Sequence, residues 1–284
     1  MKKILHKIKN KFLKDNETIK NLNHLKIVNG QLLSNQNKIL SKSINQSEFK
    51  IFSQFGEDGI IQFILNEIQI SNQTFVEFGV ENYDEANTRF LLEAYNWNGL
   101  IIDSSKDNIN FIRKQDYFWK FDLKVENKFI TKENINKILL DNKIKGNIGL
   151  LSIDIDGNDY WIWKELDAVN PDIVVIEYNA RFGSEKSLTI NYNSKFNRTS
   201  SSKFIYGASL KALKKLADTK GYALIYVNKN GNNAFFIKRE HLNDRLKEVS
   251  VAEAYKKNSF NELIDLDEKL DFEKNIKLSN VIEV

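Results

Sequence analysis

From residue 51 onward the apolar positions switch between two periods. Gly59–Ile70 (GIIQFILNEIQI) repeats at helical spacing, and Phe75–Val80 then runs as a short apolar strand. The exchange continues: helix over Thr88–Tyr95, strand over Gly99–Asp103, helix over Ser105–Gln115, and a third strand over the aromatic run Tyr117–Phe121. Lys132–Asn142 predicts a helix, Ile148–Ile153 a strand, Tyr160–Leu166 a helix and Ile173–Tyr178 a fifth strand. Ala208–Lys220 is an amphipathic helix closed by Gly221. Tyr222–Asn228, the turn Lys229-Asn230-Gly231 and Ala234–Lys238 then read as a β-hairpin.

Strand–helix alternation implies an α/β fold, a Rossmann-like, doubly wound and mostly parallel sheet covered on both faces. The C-terminal antiparallel hairpin is a narrower signature. Phe182–Phe204, rich in Ser, Asn, Thr and Lys, is a long connection of the kind that forms binding loops or lids. The pattern divides the chain into a basic extension (1–50), an α/β domain (51–242) and a charged tail (243–284) with predicted helical character.

Composition narrows the function classes. With 42% hydrophobic residues in 284, there is enough apolar material for one sizeable core. The absence of cysteine excludes a disulfide scaffold and thiolate catalysis, and fits a cytoplasmic protein. With only His6, His24 and His241 besides, a structural zinc site is disfavoured. Eleven lysines against three acids put residues 1–50 at +8, so the rest of a +4 chain carries −4. Nucleic acid is therefore not the expected partner of the main domain. In the extension, Ile4, Leu5, Ile8 and Phe12 share one helical face ringed by lysines. That face suits either an anionic membrane surface, at the inner face of the membrane, or a solvated helix or contact between copies in a homo-oligomer; the second kind of segment is the commoner. Lysines interrupt the apolar region a signal peptide needs.

The chemistry concentrates where apolar runs end. Leu150–Ile153 stops at Asp154-Ile155-Asp156-Gly157-Asn158-Asp159, and Ile173–Ile176 runs into Glu177-Tyr178-Asn179. Ligands of open α/β sheets bind in the crevice at the carboxyl ends of the strands. Strand one ends at Glu77-Phe78-Gly79, where a glycine lets the backbone approach a ligand. Only one of the three glycines of a dinucleotide fingerprint is present. Asp103 ends strand two, where an acid grips ribose hydroxyls, and Asp122 follows predicted strand three, facing an adenine amino group. One such acid alone is ordinarily a solvated loop residue; three at successive strand ends point to a nucleoside site.

Glu77-Phe78-Gly79, Asp103, Asp122 and the terminal hairpin together resemble class I S-adenosylmethionine-dependent methyltransferases. Within them, Ser53-Gln54-Phe55-Gly56-Glu57-Asp58-Gly59 and Ser152–Asp159 resemble the FkbM-type group, whose members are often O-methyltransferases acting on sugars or polyketide-like hydroxyls. The resemblance covers about residues 51–240, and departs from the pattern at Glu81 and Tyr83, where methyltransferases often keep glycines. It implies S-adenosylmethionine as cofactor, with Glu77 and Gly79 at its methionine and ribose end, Asp103 on the ribose, Asp122 at the adenine, and Gln54 and Asp58 covering it. The alternative for the last pair is a capped helix start, Ser53 followed by Glu57 and Asp58 in the first turn.

Asp154, Asp156, Glu177 and Asn179 form a second constellation. Oxygen-only ligands suit Mg²⁺, Ca²⁺ or Mn²⁺, which would lower the pKa of a substrate hydroxyl. Catechol-type methyltransferases use acids and an amide at these strand ends. The alternatives are an Asp that caps the next helix, or metal-free chemistry with Asp156, beside Asp154, as general base. The metal-free reading is favoured here, because residues i and i+2 share a face only while a strand continues. Arg181, Tyr192, Lys195, Arg198 and Tyr206 lie in or near the predicted lid, either holding an anionic substrate such as a nucleotide-sugar or phosphorylated glycan, or keeping a loop soluble. Three functions follow: O-methylation of a sugar or glycan precursor in surface polysaccharide biosynthesis, an Asp-x-Asp glycosyltransferase using Asp154 and Asp156, or a scaffold on a degenerate methyltransferase fold.

Overall fold

The computed structural model describes residues 2–70, 72–198, 204–257, 276 and 281–284, with side chains from residue 17 onward. Seven strands form one sheet: β1 (Thr74–Phe78), β2 (Asn98–Asp103), β3 (Leu123–Asn127), β4 (Gly146–Ile153), β5 (Val169–Glu177), β7 (Tyr222–Val227) and β8 (Asn233–Lys238). Their order is β3-β2-β1-β4-β5-β8-β7. The first five are parallel, and β8 enters antiparallel between β5 and β7. This is the doubly wound sheet with a C-terminal antiparallel hairpin that the alternation predicts. A second, two-stranded sheet pairs β6 (Leu188–Ile190) with β9 (Val281–Glu283).

Alternate residues of the central strands feed two cores. Val76, Phe78, Leu100, Ile102, Leu151, Ile153, Val174 and Ile176 face α6 (Ile135–Asp141), α7 (Asp159–Glu165) and α8 (Leu210–Thr219). Phe75, Ile101, Leu150, Ile173 and Val175 face α2 (Glu57–Glu67), α3 (Arg89–Tyr95) and α4 (Lys106–Ile112). Burial on both faces explains why these strands read as unbroken apolar runs. Trp163 is buried against Phe236 and Tyr222 and packs α7 onto the sheet.

Strand three is a correction. Asp116–Lys120 is a short helix, α5, and the strand is Leu123–Asn127. The aromatic density of 117–121 conceals this: Tyr117 is buried, but Trp119 is 70% exposed, which no half-buried strand accounts for. The true signal is the period-2 alternation Leu123-Lys124-Val125-Glu126 of an edge strand.

The extension is helical, α1 (Lys2–Leu40), and lies against α2 and α3 through Ile27, Phe52 and Phe90. Gly30 permits this approach: a Cβ there would stand 2.6 Å from the Phe90 ring. The face of Ile4, Leu5, Ile8 and Phe12 lies outside the residues whose side chains are described. Among the described residues of the tail, helix is found at α9 (Val251–Ala254) and residue 276, and β9 is a strand; residues 258–275 and 277–280 lie outside the described residues. No helix among the described residues is long and apolar enough to cross a membrane.

Candidate active site

At the carboxyl edge of β1, β2, β4 and β5 the loops enclose a cavity of about 400 Å³. Its walls include Glu77, Gly79, Asp103, Asp154, Asp156, Glu177 and Arg198. One cavity therefore joins both constellations of acids.

Glu77 is buried at the end of β1 and clamps the loop leading into α3. Its Oε1 accepts from Asn87 N–H at 2.8 Å, and its Oε2 from the backbone N–H and hydroxyl of Thr88. Burial pushes its carboxyl up to about 7, against these bonds, which favour the charge. Asp103 holds the next loop: Oδ2 accepts from Glu81 N–H at 2.9 Å, and Oδ1 from Ser105 N–H at 2.7 Å. Glu81 and Tyr83, where glycines are common in the methyltransferases, have φ of 48° and 66°. The left-handed backbone of a glycine loop is thus kept by side chains that strain it. The Tyr83 ring is buried, and its hydroxyl meets that of Thr88 at 2.8 Å.

Two expected cofactor residues lie elsewhere. Asp122 precedes β3 and sits at the opposite edge of the sheet, where its carbonyl accepts from Gly99 N–H. The expected strand over 117–121 puts it at the wrong end. Behind the true strand, Lys128, Phe129 and Ile130 line the cavity, with half of Phe129 exposed. Asp58 is buried away from the cavity, and its Oδ2 accepts from the N–H groups of Ile51, Phe52 and Ser53 and from the Ser53 hydroxyl. Asp58 thus ties the segment 51–53 to the first turn of α2, with Ser53 Oγ accepting from Asp58 N–H in return, and Gln54 alone of the pair reaches the cavity.

The acids after β4 and β5 converge. Asp154, Asp156 and Glu177 each bring a carboxylate oxygen within 4.8 Å of the other two. The strand stops at Ile153, so strand geometry does not bring the pair together; the left-handed turn at Asp156, φ 57°, accompanies their convergence instead. Asp159, wholly buried, holds that turn: Oδ1 accepts from Ile155 N–H and Oδ2 from Gly157 N–H. Asp159 is thus the residue that braces the start of α7, and burial raises it to about 6. Burial also holds Asp154 and Glu177 well above the carboxylate range, reinforced on both by the charges of Asp156 and Asp159 and on Glu177 by that of Asp154; Arg198 pulls the other way. Arg198 forms an ion pair with Asp156 and stacks on the Tyr206 ring at 3.7 Å. Glu177 Oε2 is sealed from solvent and accepts no hydrogen bond among the described residues. Three hard oxygen donors with one orphaned fit a divalent cation such as Mg²⁺ or Mn²⁺.

Asn179 is not part of this cluster. Its Oδ1 accepts from Arg181 N–H, and its Nδ2 donates to the carbonyls of Phe204 and Tyr206, which ties the two ends of the connection 182–204 together. Arg181 stacks on Phe204, and Tyr192 donates to Glu133; neither lines the cavity. Tyr206 is buried beneath Arg198, so of the expected substrate residues Arg198 is the one on the cavity wall. The described part of the connection 182–204 is held in place: Trp161 Nε1 donates to the Ile190 carbonyl in β6, and Asn158 Nδ2 to that of Asn193. A further group escapes sequence reading. Buried Glu57 accepts from the amides of Asn228 and Asn233, which carries Asn233 to the cavity wall. The Asn-rich run 228–233 is its only signal.

The strand order with an antiparallel β8 is the one that the methyltransferase resemblance of the sequence implies. No protein-family profile and no curated protein matches the chain. Solved structures with similar folds include an S-adenosylmethionine-dependent methyltransferase from Clostridium acetobutylicum (9% identity, covering 64% of this chain and 90% of that one, TM-score 0.42). Others are the N-terminal domain of EvdMO1 with S-adenosylhomocysteine bound (10%, 73% and 94%, 0.43) and TrmK of M. capricolum with S-adenosylhomocysteine (14%, 76% and 93%, 0.39).

Proposed function

We propose that this protein is an S-adenosylmethionine-dependent O-methyltransferase of the FkbM-like kind, acting in the cytoplasm on a hydroxyl of a sugar or glycan precursor, in surface polysaccharide biosynthesis. The observation that carries the reading is the single cavity with Glu77, Gly79 and Asp103 at one end and Asp154, Asp156 and Glu177 at the other. Asp103 keeps lone pairs for ribose hydroxyls, and the exposed face of Phe129 gives the adenine a flat wall. The acceptor hydroxyl lies among the carboxylates. S-adenosylmethionine, when bound, would supply an electrophilic methyl group, and the chain's own part would be to hold the acceptor oxygen in line with it while a carboxylate takes the hydroxyl proton. Asp154 suits that proton best, since burial and neighbouring acids make it a strong base for a carboxylate. Positioning supplies much of the rate in such a transfer. Asp154, Asp156 and Glu177 would also hold a divalent cation, which when bound lowers the pKa of the acceptor hydroxyl.

Titration calorimetry with S-adenosylhomocysteine, in Mg²⁺ and in EDTA, tests this directly. Micromolar binding, about −8 kcal/mol, is expected. A chain that ignores S-adenosylhomocysteine in both buffers but binds a nucleotide-sugar is a glycosyltransferase instead.

A further inference from the structure

Helix α1 docks on the domain with its less apolar side. Ile27, Gly30, Gln31, Ser34, Asn37 and Ser41 face inward, and the side chains of Gln31, Ser34 and Asn37 are tied to Ala94, Gln62 and Ser47. The apolar residues are on the other side. Leu22, Leu25, Val28, Leu32, Leu33, Ile39 and Leu40 are between 37% and 79% exposed. Seven such side chains leave on the order of 700 Å² uncovered, close to the area one partner gives to a stable standard-size interface. A monomer seldom leaves such a patch open.

The spacing of the stripe says what covers it. Leu25, Leu32 and Ile39 recur every seven residues, and Leu22, Asn29 and Gln36 stand three residues before each. This is the seam of a two-stranded coiled coil, diametrically opposite the docking face at Ile27, Ser34 and Ser41. We infer that α1 pairs in parallel and in register with α1 of a second copy of this chain, through Leu22, Leu25, Asn29, Leu32, Gln36 and Ile39. Asn29 and Gln36 decide between partners. Midway along a face sunk in lipid, their amides have nothing to bond; in a parallel pair each meets its own counterpart, the arrangement that fixes register and restricts such seams to two strands. The lysines agree. Lys20 pairs with Asp116 of its own domain at 2.9 Å, and Lys26 Nζ lies 5.5 Å from the Phe52 ring, so neither rims the stripe for anionic headgroups. The interface stands apart from the cavity and does not depend on what the cavity does.

The full chain at micromolar concentration should scatter light as twice its 33.1 kDa mass. The double variant Leu25→Asp, Leu32→Asp should halve that mass and leave thermal unfolding cooperative. Because the chain has no cysteine, Leu32→Cys supplies a single thiol. Under oxidation it should give a covalent dimer, whereas Lys137→Cys, on exposed α6, should not. A monomeric wild-type chain overturns the pairing, and one that is monomeric yet sediments with phosphatidylglycerol vesicles assigns the stripe to lipid. A dimer that survives the double variant, or that Leu32→Cys does not cross-link, refutes this seam.

Discussion

The carbonyl oxygen of Asp154 fills the space that a side chain on residue 79 would need. A Cβ on Gly79 would stand 1.6 Å from that oxygen, on a backbone with φ +73°. The loops after β1 and β4 thus meet backbone to backbone between the two ends of the cavity. The glycine serves this crossing first, whatever the ligand.

Gly79→Ala should therefore cost more than about 4 kcal/mol, since neither backbone can yield without parting β1 from β4. Gly146→Ala, at φ +72° with nothing within 4 Å, is the control and should cost only about 1 kcal/mol. Urea unfolding of the two variants checks this; equal losses would mean that φ alone matters.

Much of this site is legible in the amino-acid sequence. Glu77, Asp103, Asp154 and Glu177 end strands buried on both faces, and such strands announce themselves as apolar runs. Asp122 is misplaced by the pattern because an edge strand carries half the apolar signal, and the neighbouring aromatics outweigh it. The convergence of Asp154 with Asp156 comes with one left-handed residue, which spacing does not reveal. Glu57 meets Asn228 and Asn233 across more than 170 residues of chain, and no local pattern reports such a bond.

Glu81 holds a conformation that glycine adopts without strain, while its backbone N–H still serves Asp103. Left-handed backbone costs an ordinary residue about 1–2 kcal/mol, and glycine returns about 0.4–1 of that through the unfolded chain. Glu81→Gly should raise the urea midpoint slightly. A fall would show that the carboxylate of Glu81 contributes a bond of its own.

Asp103→Ala should weaken S-adenosylhomocysteine binding by about 1.5–3 kcal/mol, the worth of charged hydrogen bonds. The same change releases Glu81 N–H and Ser105 N–H, so calorimetry belongs with an unfolding curve, at a temperature where the variant is fully folded. Unchanged affinity would remove the ribose from this residue.

Stability should fall as pH rises from about 4 to about 7. Glu77 titrates near 7, and Asp58 and Asp159 near 6, against ordinary values of 4.5 and 3.8. Between those limits the folded chain holds protons that the unfolded chain has lost, so each group contributes fully below its unfolded value and nothing above its folded one. Each shift corresponds to about 3 kcal/mol at most. Glu248, lowered to about 2, acts with the opposite sign but below this window. Urea midpoints at pH 5 and 7 should differ in favour of pH 5, and Glu77→Gln should shrink the difference. A midpoint that rises with pH would mean the buried acids are ionised in the fold.

The acidic cluster makes its own prediction. Three carboxylates within 4.8 Å of one another repel unless protons or cations lie between them, and Arg198 reaches Asp156. Mn²⁺ followed by electron paramagnetic resonance should bind at one site. Asp154→Asn and Glu177→Gln should each weaken it by about 10-fold or more, because each removes a charged ligand. Asp167→Asn, an exposed acid outside the cluster, should leave it unchanged. Arg198→Ala should tighten it, since the guanidinium competes for Asp156. If Mn²⁺ affinity ignores all four substitutions, protons and Arg198 alone balance the cluster, and its chemistry is that of a buried carboxylate base.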